Sequence, residues 1–512
     1  MKKIFLLFIL FFFSINFVYA EISVTPYGAA QVVSGSCFLL NAEDEKVLID
    51  CGLFIGDDSE LYLNSDMPQE LIDAKYLVLT HAHLDHIGRV PLLIAKGFRG
   101  KIYSTSVTKE LALLLFKDRN GFEIIERKWY WSKVQREKAE ANRATAIAHW
   151  HEDCKESIKN VEEPPLPITL EELRKNTKIK FLACKNCCAK DSAEIEKLFV
   201  TLNYNEWEEI SKNIKVKLID AGHIPGSASV IFDINGKKIL FSGDLGSGYS
   251  RFNGEFSVPE KADMIFVEAT YADDKSKLSF LDYEVFQNDL SKALKKGKTV
   301  WIPALSFNRT QKVLYELRLM QKNGKLPKDF PIYSVSPSAN NITEIYQKEL
   351  KKNERGIWFT EEIYKEKTIL PEKINLKKNV KFDNPLILIS SSGDLDKGMS
   401  AHFVSKLLPR KDLMIMLVNY VKPKSTAGML LSGKNKINGV KSSASVKKYD
   451  VFSDHAGFEM IRKWLSNQYK ETSLYIVHSE KKIAEKMEML LKKDGRTNIS
   501  KASYKEKVVL EP

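Results

Sequence analysis

The chain lacks internal repeats, which excludes a solenoid or a propeller array. Beyond residues 1–20 it has no run apolar enough to span a bilayer, which excludes a bundle of membrane-spanning helices. It also lacks the composition of a disordered chain. Its 44% hydrophobic and 28% charged residues are those of a globular protein with a sizeable core. At 512 residues, two domains are expected. Histidine and cysteine are scarce, at nine and six. Any cluster of them therefore carries information.

The N-terminus reads as a secretory signal peptide. Lys2 and Lys3 precede an unbroken apolar run from Ile4 to Phe13, and Val18-Tyr19-Ala20 forms a small-residue cleavage site before Glu21. The run is short for a membrane anchor, and no cysteine stands at the cleavage point, which argues against a lipoprotein. The expectation is export, periplasmic or secreted, with no stable membrane insertion once residues 1–20 are removed. The formal net charge of +12 loses only those two lysines, and it suits a polyanionic partner such as nucleic acid.

Short β-rich apolar segments alternate with helical patterns, which predicts an α/β fold. Strands are expected at Lys46–Ile49, Ala74–Thr80, Val216–Ala221, Lys238–Phe241, Met264–Val267, Lys448–Phe452 and Leu474–Val477. Helices are expected at Gln311–Met320 and Lys481–Leu491. Each strand meets a His, Asp or Glu within three residues of its end: Asp50, His81, His223, Asp244, Glu268, His455 and His478. Open α/β folds build sites at the carboxyl ends of strands. These endings therefore predict one composite site. The stretch from about 115 to about 213, with Pro164-Pro165-Leu166-Pro167, reads as an elaborated, partly helical connection.

The densest signal is Thr80-His81-Ala82-His83-Leu84-Asp85-His86. On an extended loop His81 and His83 point the same way, while Asp85 and His86 begin the next turn and can face a second ion. Imidazole and carboxylate suit zinc, and hydrolysis needs an open coordination position. A surface loop with scattered polar residues is the bland alternative; it is hard to square with three of nine histidines here.

This run resembles the HxHxDH signature of the metallo-β-lactamase superfamily. Leu48-Ile49-Asp50-Cys51-Gly52, the His223 segment Ala221–Ala228 and Phe241-Ser242-Gly243-Asp244 resemble its other landmarks, in order. The resemblance implies two Zn2+ ions. One would take His81, His83 and His223, the other Asp85, His86 and His478, with Asp244 shared and Asp50 orienting a ligand. It also implies a hydroxide nucleophile held between the ions, with Asp50 and Asp85 part of the catalytic apparatus.

The C-terminal half is similar to the β-CASP branch. Val267-Glu268-Ala269-Thr270-Tyr271, Phe452-Ser453-Asp454-His455-Ala456 and Val477-His478-Ser479-Glu480 match its motifs. The segments Ile302–Gln311 and Ser334–Ala339 look like this branch too. The implied architecture is an αβ/βα sandwich of residues 21–272 and 451–512, with a β-CASP α/β cap of residues 273–450. By the resemblance His455 is the general acid and Glu268 its partner. Arg309, Ser336 and Lys424 are candidate substrate contacts, with Arg309 suited to phosphate. Asn308 replaces a glycine usual before that arginine, and the stretches after Tyr420 and around Ser391–Gly398 are altered, which touches substrate details and leaves the ligand set intact.

The activity implied is a zinc-dependent phosphodiester hydrolase, an RNA endonuclease acting on single-stranded RNA; a homodimer is compatible with it. The FSDHAG form around His455 favours an endonuclease over an exonuclease. An exported zinc hydrolase of a non-nucleic-acid ester is the alternative, because free RNA is not a usual periplasmic substrate. A non-catalytic nucleic-acid-binding module would have lost metal ligands, and none is lost.

Cys37 and Cys51 lie in apolar segments and are expected as buried thiols. His149, His151, Cys154, Cys184, Cys187 and Cys188 cluster in the long connection. A structural Zn2+ on Cys154, Cys184 and Cys187, or disulfides in an oxidising compartment, both fit that cluster. His402 reads as an ordinary residue.

Overall fold

The computed structural model describes residues 21–42, 44–55, 63–64, 67–117, 192–272, 280–350, 385–437 and 439–510. Residues 1–20, expected as a signal peptide, and the Cys154–Cys188 cluster lie outside the described residues.

Strands β1 (Ile22–Pro26), β2 (Phe38–Ala42), β3 (Glu45–Ile49), β4 (Tyr76–Val78), β5 (Lys101–Ser104) and β6 (Phe199–Thr201) make most of a first sheet. A second sheet holds β7 (Trp207–Glu209), β8 (Ile214–Asp220), β9 (Ala228–Ile234), β10 (Lys237–Phe241) and β11 (Met264–Glu268). A third contains β12 (Thr299–Pro303), β13 (Ile332–Ser334), β14 (Ile387–Ser390) and β15 (Leu413–Leu417). After a two-stranded hairpin, β16 (Lys436–Ile437) with β17 (Val440–Lys441), comes β18 (Ser445–Lys448), the last strand of the third sheet. The chain then returns. β19 (Ser473–Val477) and β20 (Ile499–Lys501) join the second sheet, and β21 (Val508–Val509) joins the first.

The orders are β21-β1-β2-β3-β4-β5-β6, β20-β19-β11-β10-β9-β8-β7 and β13-β14-β12-β15-β18. In the second sheet β11 pairs parallel with both β10 and β19. The all-parallel third sheet is therefore inserted between two neighbouring strands of the second.

The first two sheets face each other over a dry core. Val24, Leu40, Val47, Val216, Leu218, Phe232 and Phe266 contribute to it, each fully buried. Phe241 and Phe266 stack within it at 4.8 Å, and the Phe38 ring packs against both at a tilt of 50°. Burial of such side chains is worth about 1.5–3 kcal/mol each. That makes the floor beneath the strand ends stiff. The inserted unit packs Tyr315, Ile342 and Tyr346 against the first sheet's helical layer, beside Leu111 and Phe252. Apolar packing thus sets the two units' separation at the cleft. This is the α/β sandwich with an inserted α/β cap that the sequence implies.

Six of the seven expected strands form, most with slightly shifted ends. The seventh does not. β18 ends at Lys448, and Tyr449, Val451 and Phe452 lie beyond it, buried in a cluster with Phe286 and Leu290. Their apolar character serves packing from a turn, not a ladder. The helices expected at Gln311–Met320 and Lys481–Leu491 extend over Arg309–Lys322 and Lys481–Lys493.

Candidate metal centre

The ends of β3, β4, β8, β10, β11 and β19 converge on one edge of the sandwich. After β4 the chain stays extended through His81 and His83, then makes a helical turn over Leu84–Ile87. The turn sits against the end of β3 only because residue 52 is glycine. A Cβ there would stand 1.6 Å from the Asp85 carbonyl oxygen. Asp50 and His478 hold left-handed φ angles of 58° and 50°. That conformation costs about 1–2 kcal/mol for a residue with a Cβ, and it turns both side chains into the site.

Two groups of donor atoms result. His81, His83, His223 and Asp244 form one; Asp85, His86 and His478 form the other; Asp244 and His478 also close on Glu268 in a third, overlapping set. In the first, His81 Nε2 lies 3.0 Å and His223 Nε2 3.2 Å from His83 Nδ1. Both Nε2 atoms are 3.6 Å from Asp244 Oδ2. In the second, His86 Nε2 lies 3.2 Å from His478 Nε2, and His478 Nε2 lies 3.5 Å from Asp85 Oδ2. Asp244 Oδ1 is 3.2 Å from His86 Nε2. Asp244 therefore offers one oxygen to each group, as a shared ligand must.

The far nitrogens explain which atoms face inward. Thr80 Oγ1 donates to Asp50, so it accepts from His81 Nδ1 at 3.1 Å. His86 Nδ1 donates to Asp50 Oδ2 at 2.7 Å. His223 Nδ1 donates to the Asp454 carbonyl at 3.1 Å. Thr270 Oγ1 donates to the His478 carbonyl and accepts from His478 Nδ1 at 2.9 Å. With Nδ1 protonated in each ring, Nε2 of His81 and His223 presents a bare lone pair. Such lone pairs about 3 Å from another ring nitrogen, beside a carboxylate, repel unless a cation lies among them. Asp244 Oδ1 is buried with no hydrogen-bond partner, a cost of about 1–3 kcal/mol or more if left uncompensated. The donor set is nitrogen and carboxylate oxygen, which is zinc chemistry. The residues fit two Zn2+ ions.

Electrostatics agree. Burial holds His81 well below the usual histidine range and lowers His83. It takes His223 down to about 3, helped by His455. Neutral imidazole is the ligating form. On His86, burial opposes the proton, but Asp244 and Asp50 outweigh it and raise the pKa well above 6.5. A cation held at Asp244 would instead favour the neutral, ligating ring there.

Beside Asp244 stand Glu268 and His455. Glu268 is fully buried; its Oε1 accepts from Leu245 N at 2.7 Å and lies 3.2 Å from His455 Nδ1. Burial disfavours the imidazolium of His455, yet Glu268 and then Asp244 raise its pKa to about 9. His455 follows β18 by a loop, not directly, and is fixed by a backbone bridge to Gly246.

The three candidate substrate contacts are placed differently. Ser336 is buried, accepting from Ser391 N at 2.8 Å and donating to Ser391 Oγ at 3.0 Å. Lys424 is exposed. Arg309 is turned inward, bonding the Val418 carbonyl and, at 3.3 Å, Asp454 Oδ2. Asn308, with φ 58°, and the buried Lys312 also reach Asp454 Oδ1, at 2.9 and 2.7 Å. These residues tie the inserted unit to the residue preceding His455. Composition gave no hint of this cluster, nor of the Thr80 and Thr270 hydroxyls. Lys312 closes the polar run Arg309–Lys312, and nothing in that run marks it as buried.

Two outcomes follow. Asp50→Asn should weaken zinc binding by about 10–100-fold, since it loosens the hold on His86 Nδ1; chelator competition measures it, and unchanged affinity would remove Asp50 from that role. Asp454→Ala leaves Lys312 and Arg309 buried without their carboxylate, and should destabilise the fold by about 3–5 kcal/mol in a urea titration. Adding Lys312→Met should restore part of that loss.

A two-zinc donor set at the mouth of a two-sheet sandwich defines a metallo-hydrolase. Three family models match the chain: "Metallo-beta-lactamase superfamily" at residues 30–153, "Beta-Casp domain" at 310–430 and "Zn-dependent metallo-hydrolase RNA specificity domain" at 439–501. The chain belongs to the metallo-β-lactamase superfamily, in its β-CASP nuclease branch. It is 26% identical to a ribonuclease of Thermus thermophilus, over 89% of this chain and 93% of the relative. It is 25% identical to an RNase J-like protein of Methanocaldococcus jannaschii, over 89% and 92%. A crystal structure of a protein of unknown function from Enterococcus faecalis shares the fold, with a TM-score of 0.51 and 12% identity, over 96% of this chain and 100% of that one.

Proposed function

We propose that the protein is an RNA endonuclease that hydrolyses phosphodiesters of single-stranded RNA, with His455 as general acid. The observation that carries this reading is the Glu268–His455 pair, 3.2 Å apart, beside a carboxylate whose two oxygens serve two ligand groups. Two zinc ions held there would supply Lewis-acid activation of water and of the phosphate. The chain's own residues do the rest. Asp50, Thr80, Thr270 and the Asp454 carbonyl hold the ring tautomers that aim the ligands inward. Glu268 holds a proton on His455, which passes to the leaving oxygen as the P–O bond breaks. The relatives named ribonucleases and the RNA-specificity match at 439–501 support RNA over other esters. The endonucleolytic mode rests on the Phe452–Gly457 sequence alone.

The division into a catalytic unit, 21–272 with 451–512, and a cap, 273–450, belongs to this reading. So does export through residues 1–20. Export keeps a second reading in view, a hydrolase of a non-nucleic-acid ester outside the cytoplasm.

The test is a parallel assay of the zinc-loaded protein on end-labelled single-stranded RNA, single-stranded DNA and bis-p-nitrophenyl phosphate. Internal cuts in RNA, faster than in DNA, are expected. Turnover of the small diester with no cleavage of either nucleic acid would favour the second reading.

A further inference from the structure

Folding buries most large apolar rings, so exposed ones beside a site invite a reason. Among the described residues four aromatic rings are substantially exposed: Trp207, Tyr271, Tyr420 and Tyr469. Two carry a lysine over the ring. Lys217 Nζ lies 4.5 Å from the Trp207 centroid, and Lys261 Nζ 3.7 Å from that of Tyr469. Among the described residues no cation covers Tyr271 or Tyr420.

These two uncovered rings border the cleft between the units. Tyr271 follows β11, and its backbone bridges to Gly457. Its ring meets that of His455 edge-on at 5.6 Å. Tyr420 follows β15 in the inserted unit and is 64% exposed. Its neighbour Asn419 pins the loop, donating to the Pro303 carbonyl at 2.8 Å and accepting from Leu305 N at 3.2 Å. Burial raises the Tyr271 hydroxyl pKa, and Arg309, Asp454, Tyr420 and Asp450 all act on it electrostatically. Arg309 links the two walls, bonding the carbonyl of Val418, two residues before Tyr420, and the carboxylate of Asp454, the residue before the His455 that Tyr271 touches. Lys422 and Lys424 are exposed just beyond Tyr420, and residues 418–428 hold no acidic side chain.

We propose that Tyr271 and Tyr420 form a stacking subsite for one unpaired nucleobase of the substrate, on the leaving-group side of the scissile phosphate, with Lys422 and Lys424 beside the adjoining backbone. This rests on the reading of the metal centre as a nuclease. The side follows from contact: Tyr271 touches His455, and His455 protonates the leaving oxygen. The occupant follows from chemistry. Every base has a π-face that a tyrosine ring can cover, and the lysines complement phosphate. A paired base hides its faces in the helix, so such a subsite selects single strands.

The experiment uses the zinc-loaded full protein and a short labelled single-stranded RNA with one mapped cut. A second substrate lacks the base on the nucleotide that carries the leaving oxygen. Wild-type kcat/KM should fall about 10-fold or more on the abasic substrate. Tyr271→Leu and Tyr420→Leu should each fall by a similar factor on the complete RNA, while Tyr271→Phe, which keeps the ring, should not. The abasic change should cost Tyr271→Leu little more, because base and ring act as one pair. Zinc content and melting temperature identify a variant that has merely lost its fold; the wild-type comparison of the two substrates then decides without it. Equal cleavage of complete and abasic RNA, or losses that multiply in Tyr271→Leu, would overturn the subsite and leave the nuclease reading standing. Failure of the wild type to cut any nucleic acid would overturn both.

Discussion

Asp244→Asn is expected to lower bound zinc from two ions per chain to one or none, and to slow phosphodiester turnover by about 10²–10³-fold. That is the scale of loss when one preorganised charged or polar group is taken from a transition state. The effect should exceed that of any single histidine, because Asp244 alone turns an oxygen to each ligand group, Oδ2 toward His81 and His223 and Oδ1 toward His86. Asparagine keeps the shape and removes the charge, so lost packing is not the cause. Oδ1, buried without a hydrogen-bond donor, shows that hydrogen bonding alone does not account for the position. Metal analysis by mass spectrometry and turnover of bis-p-nitrophenyl phosphate measure the two effects, and circular dichroism checks the fold. A variant holding both ions at the wild-type rate would show that Asp244 is not the shared ligand.

The metal centre was legible in the sequence because its ligands follow short strands. His81, His83, Asp85 and His86 are neighbours in the chain, and the extended-then-helical course of that loop follows from the strand before it. His478 lies 392 residues from His86 and was placed by motif resemblance, not by spacing. What escaped depends on tertiary partners. The Thr80 and Thr270 hydroxyls look like any strand-end threonine until their rings are in place. Arg309 suggested a phosphate contact by its guanidinium, but Asp454, 145 residues away, turns it inward. The strand expected at Lys448–Phe452 failed for a related reason. Apolar residues there satisfy burial, and burial by a turn leaves the same mark in the sequence as burial by a ladder. The inserted unit's contact with the first sheet through Tyr315, Ile342 and Tyr346 was likewise invisible, since amphipathic helices do not name their partners.

His455→Ala is expected to slow hydrolysis of RNA by about 10²–10⁴-fold while leaving zinc content unchanged. The leaving group of RNA is a sugar alkoxide, a strong base that departs poorly without a proton. p-Nitrophenolate departs as the anion, so the same substitution should slow bis-p-nitrophenyl phosphate far less. The geometry supports a donor, not a ligand. Nδ1 of His455 is held by Glu268 at 3.2 Å, with Asp244 Oδ2 farther off at 3.8 Å. The ring is also partly open to solvent, at 19% of its side chain. The pKa near 9, set by burial against the two carboxylates, keeps the proton in place at neutral pH; a cation bound at Asp244 would take back that carboxylate's share. Glu268→Gln should give a weaker version of the same selective loss, because the imidazole keeps a neighbour and loses its charge. A merely structural His455 would harm both substrates alike, through lost folding or lost metal. Equal losses on the two leaving groups, with zinc retained, would remove His455 as the acid and leave the protonation of the leaving oxygen to water.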